Sequence, residues 1–128
     1  MRILLDTHVL LWFHTRDPRL SARSRSNIES GRHDCRYSIV SLWEITIKHA
    51  LGKLELVDGL EASFAAMERA NLAPLQLDPS HLLALSLLPH HHRDPFDRML
   101  VAQAISEGMH LMTSDPQLRA YEVPLLHA

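Results

Sequence analysis

MRILLDTHVLLWF, residues 1–13, is the stretch on which the reading of the fold turns. Ile3-Leu4-Leu5 is continuously apolar rather than alternating, the pattern of a strand buried on both faces of a sheet. The run stops at an acid, Asp6, and Thr7–His14 then reads as a helix. A strand that turns directly into a helix begins a βαβ unit. In open α/β sheets the crevice outside the carboxyl ends of the strands is where sites are built. Asp6 therefore stands where a functional carboxylate would stand, and the rest of the chain must supply it with partners.

The alternation continues along the chain. Asp17-Pro18 breaks the first helix. Ser21–Ser30 reads as a polar helix closed by Gly31, and Arg36–Val40 as a second strand. Ser41–Leu51 reads as a helix with Gly52 just past its end. Leu60–Ala70 is helical, Leu75–Leu77 a short strand or extended piece, and Ser80–Leu88 helical. Asp94–Glu107 is the clearest helix, with Pro95 in its first turn and Gly108 behind it. His110–Thr113 reads as a strand, Pro116–Ala120 as a helical turn and Val123–Leu126 as a last strand. Short buried strands alternating with helices imply an α/β fold, a parallel sheet with helices on both faces, over one domain spanning residues 1–128. In that arrangement Asp6, Glu44 (just beyond the strand ending at Val40) and Asp115 (after the strand His110–Thr113) project from one edge of the sheet.

Composition narrows the function. The chain has 128 residues, 46% of them hydrophobic, enough for one core. Its formal charge of −2 supplies no overall basic field to hold a polyanion, so a nucleic-acid partner would need a local patch or a bound metal. Cys35 is the only cysteine, which excludes an intrachain disulfide and fits a reducing compartment. No apolar stretch approaches the roughly 20 residues that span a bilayer, and residues 1–13 lack the layout of a signal peptide. The expectation is a cytoplasmic protein without a membrane partner.

Each acid has a structural explanation when taken singly. Asp6 fits as a cap of the helix at Thr7. Ser41-Leu42-Trp43-Glu44 has the form of a capping box. Asp94-Pro95-Phe96-Asp97 puts an N-cap acid before a proline and a second acid in the first turn, where the helix dipole favours negative charge. Asp115-Pro116 repeats the pattern. Taken together, carboxylates at one sheet edge repel one another, and desolvation makes that worse. A fold keeps them together by binding a cation or sharing a proton. Hard oxygen donors suit Mg²⁺ or Mn²⁺, which orient phosphates and generate hydroxide near neutral pH.

LLDTHVLLW at the start, SLWEITIKHALGKL in the middle, HRDPFDRMLVAQA, and LMTSDPQLRAY near the end carry a resemblance. In this order, and over nearly the whole chain, they resemble the PIN-domain ribonucleases, specifically the VapC-type toxins of bacterial toxin–antitoxin pairs. The resemblance implies a small α/β/α sandwich, that is, a three-layer fold about a short central parallel sheet. It implies metal-dependent endonuclease activity on RNA, homodimers, and neutralisation by a cognate VapB-type antitoxin. Carried over residue by residue, the family's acids fall on Asp6, Glu44, Asp97 and Asp115, with Asp94 the second choice for the third position. These residues are expected to hold Mg²⁺ or Mn²⁺, and a water activated there attacks phosphorus in line, leaving a 5′ phosphate and a 3′ hydroxyl. The hydroxyls of Thr7, Thr113 and Ser114 stand beside the acids in sequence, as do Arg98 and His92, which leads into Arg93 and Asp94; all five are candidate supporting residues.

Other features have plainer readings. His90-His91-His92 invites a zinc site, but zinc needs converging ligands and only one cysteine is present, so a solvated loop is the better reading. Arg16, Arg19, Arg23 and Arg25 form a local basic patch. Lys48 follows Glu44 by four residues, the spacing of a helical ion pair. Trp12, Phe13, Leu42 and Trp43 read as core or dimer surface, because 5% aromatic residues is too few for a stacking-based RNA reader. Leu51, Leu54, Leu56 and Leu60–Met67 offer apolar positions in a region that, the resemblance implies, helps form an antitoxin groove, while core packing is the plainer role for any single leucine there. Two other classes compete. An aspartyl-phosphate phosphatase of the haloacid-dehalogenase type would need Asp-x-Asp where this chain has Asp6-Thr7-His8. A PIN-fold binding module without nuclease activity would be expected to lack one of the acids, and all four are present.

Overall fold

A strand paired on both sides and covered on both faces buries consecutive aliphatic residues. The computed structural model, which describes residues Met1–Ala128, places them so. β1 (Arg2–Leu5) lies between β2 (Asp34–Ser38) and β4 (His110–Thr113), and Ile3, Leu4 and Leu5 have no exposed surface. β3 (Ala73–Leu75) flanks β2 and β5 (Leu125–His127) flanks β4, giving the order β3-β2-β1-β4-β5 with every pairing parallel.

Right-handed crossovers then fix the layers. The chain steps outward from β1 through β2 to β3, by way of α1 (Thr7–Thr15), α2 (Ala22–Glu29), α3 (Ile39–Ala50) and α4 (Gly59–Arg69). It returns across the sheet to β4 through α5 (Pro79–Ser86) and α6 (Pro95–Glu107) on the other face. The two cores confirm the split. Ile3 and Leu5 pack with Val9, Leu10, Ile28, Ile45 and Met67, whereas Leu4 and Leu111 pack with Leu100, Val101 and Ala104. The expected three-layer α/β/α sandwich with a central parallel sheet is what forms. A 3-10 turn, Pro116–Ala120, links β4 to β5.

The boundaries that differ from the sequence reading do so for physical reasons. β2 ends at Ser38 rather than Val40, and α3 starts at Ile39. Ile39 and Val40 look like more strand because a short apolar run fits either element. Ser38 ends the strand by becoming the N-cap, its Oγ accepting the Val40 N–H at 3.0 Å and donating to Gln103 Oε1 at 2.6 Å. Ser41-Leu42-Trp43-Glu44 is therefore not a capping box. Ser41 lies inside α3, where its hydroxyl accepts from Thr7 Oγ1 at 2.9 Å. The edge strands shift too, to Ala73–Leu75 and Leu125–His127, because pairing with β2 and β4 sets them and local pattern does not. Pro74 is tolerated in β3 because that strand is an edge. α6 ends as expected at Gly108, whose φ of +66° lets Met109 N–H reach Ala104 O at 2.9 Å.

Burial of the central strand predicts unequal costs along the chain. Leu4→Ala is expected to lower stability by about 2–5 kcal/mol. Leu77→Ala, at an exposed site outside β3, should stay within about 0.5 kcal/mol of wild type. Denaturant midpoints at constant m-value measure both.

Candidate metal centre

Asp6 is the first residue beyond β1. Its N–H extends the ladder to Met112 O at 3.0 Å, and Oδ1 accepts the Val9 N–H at 2.8 Å, capping α1. Thr113, at the end of β4, lies close enough to act on the Asp6 carboxylate, and its Oγ1 accepts the Asp115 N–H at 3.1 Å. Two neighbouring strand ends are thereby tied together. Asp6 is 4% exposed, and burial pushes its carboxyl above the ordinary range, with the charge of Glu44 adding to the effect. The bonds from Thr113 and Val9 and the charge of His8 oppose that rise without cancelling it.

Glu44 sits on α3 with 1% exposure. Lys48, one turn further on, donates to Oε2, which is the expected helical ion pair. Oε1 is buried with no hydrogen-bond partner. An orphaned carboxylate oxygen in the interior is costly, so it marks a place where a positive partner belongs. Partial burial works against the Lys48 ammonium, but its bond to Glu44 and the charges of Glu44, Asp94 and Asp97 outweigh this and hold it above its ordinary value.

At the start of α6 the two candidate acids divide the work. Asp94 is the N-cap, Oδ1 accepting the N–H groups of Phe96 at 2.8 Å and Asp97 at 3.3 Å. Asp97, in the first turn, is pushed up to about 7, first by burial and then by the charges of Asp94, Glu44 and Asp6; His92 opposes the shift. Asp115 caps the 3-10 turn through Oδ1 and Gln117 N–H at 2.9 Å, and its Oδ2 faces His92 Nε2 at 2.9 Å. The same nitrogen lies 3.6 Å from Asp97 Oδ2.

The structure therefore brings Asp94, Glu44 and Asp6 within electrostatic reach of Asp97, while Asp115 is joined to Asp97 through His92. Thr113 joins them by accepting the Asp115 N–H, whereas the Thr7 hydroxyl is spent on Ser41. Ser114 is exposed and bonds to none of them. Arg98 is engaged elsewhere, its Nη2 donating to Leu88 O at 3.0 Å. His90 and His91 are exposed as expected of a loop, but His92 is not: its side chain is 11% exposed. The Tyr121 hydroxyl accepts the N–H of both His91 and His92. Sequence reasoning missed this anchor and the Thr7–Ser41 link, since both join residues far apart in the chain.

The arginine patch is partly structural. Arg19 is clamped by Asp17 and lies over the Trp12 ring at 5.1 Å, and Arg25 donates to the carbonyls of Trp12 and Phe13. Trp43 is 58% exposed, so it is no core residue; it meets Phe96 edge-on at 5.1 Å.

These residues fit a hard divalent cation. The donors are carboxylate oxygens, Glu44 Oε1 lacks any partner, and Lys48 is the one ammonium bonded to the acids. A parallel α/β sheet with such a cluster at the point where the strand order reverses defines a class of acidic-site α/β proteins. The chain belongs to the PIN domain family, whose model matches residues 3–124. It is 27% identical over 123 residues to Ribonuclease VapC22 of Mycobacterium tuberculosis, covering 95% of this chain and 93% of that one. Its fold is similar to the crystal structure of VapBC2 from Rickettsia felis bound to a DNA fragment from their promoter. That match has a TM-score of 0.76 and 13% identity over 98% of both chains. VapBC-1 from nontypeable Haemophilus influenzae matches with a TM-score of 0.70 and 19% identity, over 98% and 97% of the two chains.

Like-charge crowding has a measurable sign. Asp97 holds a proton to about 7 in the fold, whereas an unfolded aspartate loses it near 3.9. That contribution to stability is fully present below about pH 4 and is lost as pH rises through about 7. In EDTA, the wild-type melting temperature should fall more between pH 5 and pH 8 than that of Asp97→Asn. Parallel curves would show that Asp97 carries no such burden.

Proposed function

We propose that this chain is a metal-dependent endoribonuclease, the toxin of a bacterial toxin–antitoxin pair, acting as a single domain. The observation that carries the reading is the buried, partnerless Glu44 Oε1 beside an Asp97 pushed up to about 7 by burial and by the acids around it. PIN family membership and the 27% identity to Ribonuclease VapC22 support RNA as the substrate.

In this reading Asp6, Glu44 and Asp97 hold Mg²⁺ or Mn²⁺, with Asp115 completing the site. When bound, such an ion polarises the phosphate and lowers the pKa of a nearby water. The chain's own groups do the rest. Lys48 occupies Glu44 Oε2 and leaves Oε1 free for the ion. Asp94 fixes the first turn of α6, and with it Asp97. The Asp6 N–H on Met112 O and the Asp115 N–H on Thr113 Oγ1 keep the two strand ends in register.

A cleft of about 410 Å³ runs from Thr7 and Glu44 past Trp12, Lys48, Lys53 and Arg19. Its cations are matched by Asp17, Glu44 and Glu55, so it has no excess positive charge to offer a phosphate chain. Attraction for a polyanion must then come from the ion. The similar structures are complexes of VapB and VapC proteins, which supports a VapB-type antitoxin partner; a homodimer is the assembly proposed here.

The test is cleavage of a mixed RNA pool by the partner-free protein with Mg²⁺ or Mn²⁺, with EDTA, and by Asp97→Asn. Cleavage should drop to background in EDTA and in the variant, while circular dichroism shows the variant folded. Cleavage that survives both changes would refute the reading.

A further inference from the structure

His92, Asp97 and Asp115 look by distance alone like a mixed histidine–carboxylate metal site, their candidate ligand atoms lying within 4.8 Å of one another. The hydrogen bonds say otherwise. His92 Nδ1 accepts the Asp94 N–H at 3.0 Å. A nitrogen that accepts carries no proton, so the neutral ring carries its proton on Nε2. That N–H donates to Asp115 Oδ2 at 2.9 Å, with Asp97 Oδ2 at 3.6 Å. For Nε2 to ligate an ion, the proton would have to move to Nδ1, directly against the Asp94 N–H. Asp94 cannot easily yield, because it is the N-cap of α6. The backbone of His92 is held as well, by the Tyr121 hydroxyl at 2.9 Å.

We propose that His92 is a positioning residue that sets its Nε2–H, in place of a cation, between Asp97 and Asp115. The proposal rests on the metal-site reading above. It has a consequence for Asp115, whose two oxygens already have donors, Gln117 N–H on Oδ1 and His92 on Oδ2. Asp115 would then offer an ion only its remaining lone pairs, and Asp6, Glu44 and Asp97 would be the main groups to hold it. Elsewhere in the molecule the same device appears without the site. His81, fully buried, accepts the Asp78 N–H on Nδ1 at 3.1 Å and faces Glu107 Oε2 with Nε2 at 3.0 Å. It braces α5 against α6 and offers an internal reference.

The experiment is a long-range ¹H–¹⁵N spectrum of the histidine rings in the full chain, metal-free and with saturating Mg²⁺, together with Mg²⁺ affinities of His92→Ala and His92→Gln. Both His81 and His92 should show the Nε2–H tautomer without metal, and His92 should keep it in Mg²⁺. Loss of the outer hydrogen bond in His92→Ala should weaken Mg²⁺ about 10-fold. His92→Gln, which retains a side-chain N–H donor for Asp115, should recover most of that loss. Loss of the Nε2 proton on adding Mg²⁺, or unchanged affinity in a folded His92→Ala, overturns the proposal while leaving the metal site standing. A wild-type protein that binds no Mg²⁺ overturns the metal-site reading and the role of His92 with it. Should the variants fail to fold, the wild-type spectrum alone decides the tautomer.

Discussion

Parallel pairing of β1 with both β2 and β4 is the constraint on which everything else depends. Strands that run one way end at one edge, and the helices that follow them begin there. Asp6 and Asp115 leave β1 and β4 at that edge, and α3 and α6 start beside it with Glu44 and Asp97. Helix N-termini offer unpaired N–H groups and a favourable dipole to acids. This explains how the fold tolerates so many. Asp6, Asp94 and Asp115 each give one oxygen to a cap and keep the other free of backbone bonds. Capping and ion binding are thus not rival explanations of these residues. The cap orients the carboxylate that the site uses.

The arrangement remains short of positive charge. Lys48 is the one ammonium bonded to the acids, and it satisfies only one oxygen of Glu44. Burial makes the imbalance worse, which is why the metal-free site keeps a proton on Asp97 up to about 7. The cleft beside it has no excess positive charge either, in keeping with the chain's net charge of −2.

Much of this was legible in the sequence because it rests on local rules. The continuous apolar run Ile3-Leu4-Leu5 marked the central strand, and Asp–Pro pairs marked the starts of α6 and the 3-10 turn. Gly108 marked the end of α6. Strand ends carrying acids marked one edge of a parallel sheet. What stayed hidden depended on distant partners. Ser38 ends β2 because it caps α3 and reaches Gln103, 65 residues away. β3 and β5 lie where their neighbours pair with them. Asp97 stood ahead of Asp94 in the sequence only by resemblance; the hydrogen bonds show Asp94 holding the helix and Asp97 crowded by the other acids. His92 stood out only by leading into Arg93 and Asp94, because its partners, Asp115 and Tyr121, follow it by 23 and 29 residues.

The central claim is that this acidic edge is strained by its own charge and relieved by a divalent cation. Thermal melting of wild type and Asp97→Asn at pH 8, with and without Mn²⁺, tests it most directly. Stabilisation by a ligand reports binding to the folded state. Mn²⁺ should raise the wild-type melting temperature and leave the variant nearly unmoved. In EDTA the variant, relieved of one buried charge, should melt at or above wild type. A wild type indifferent to Mn²⁺, or a variant that gains as much from it, would contradict the claim.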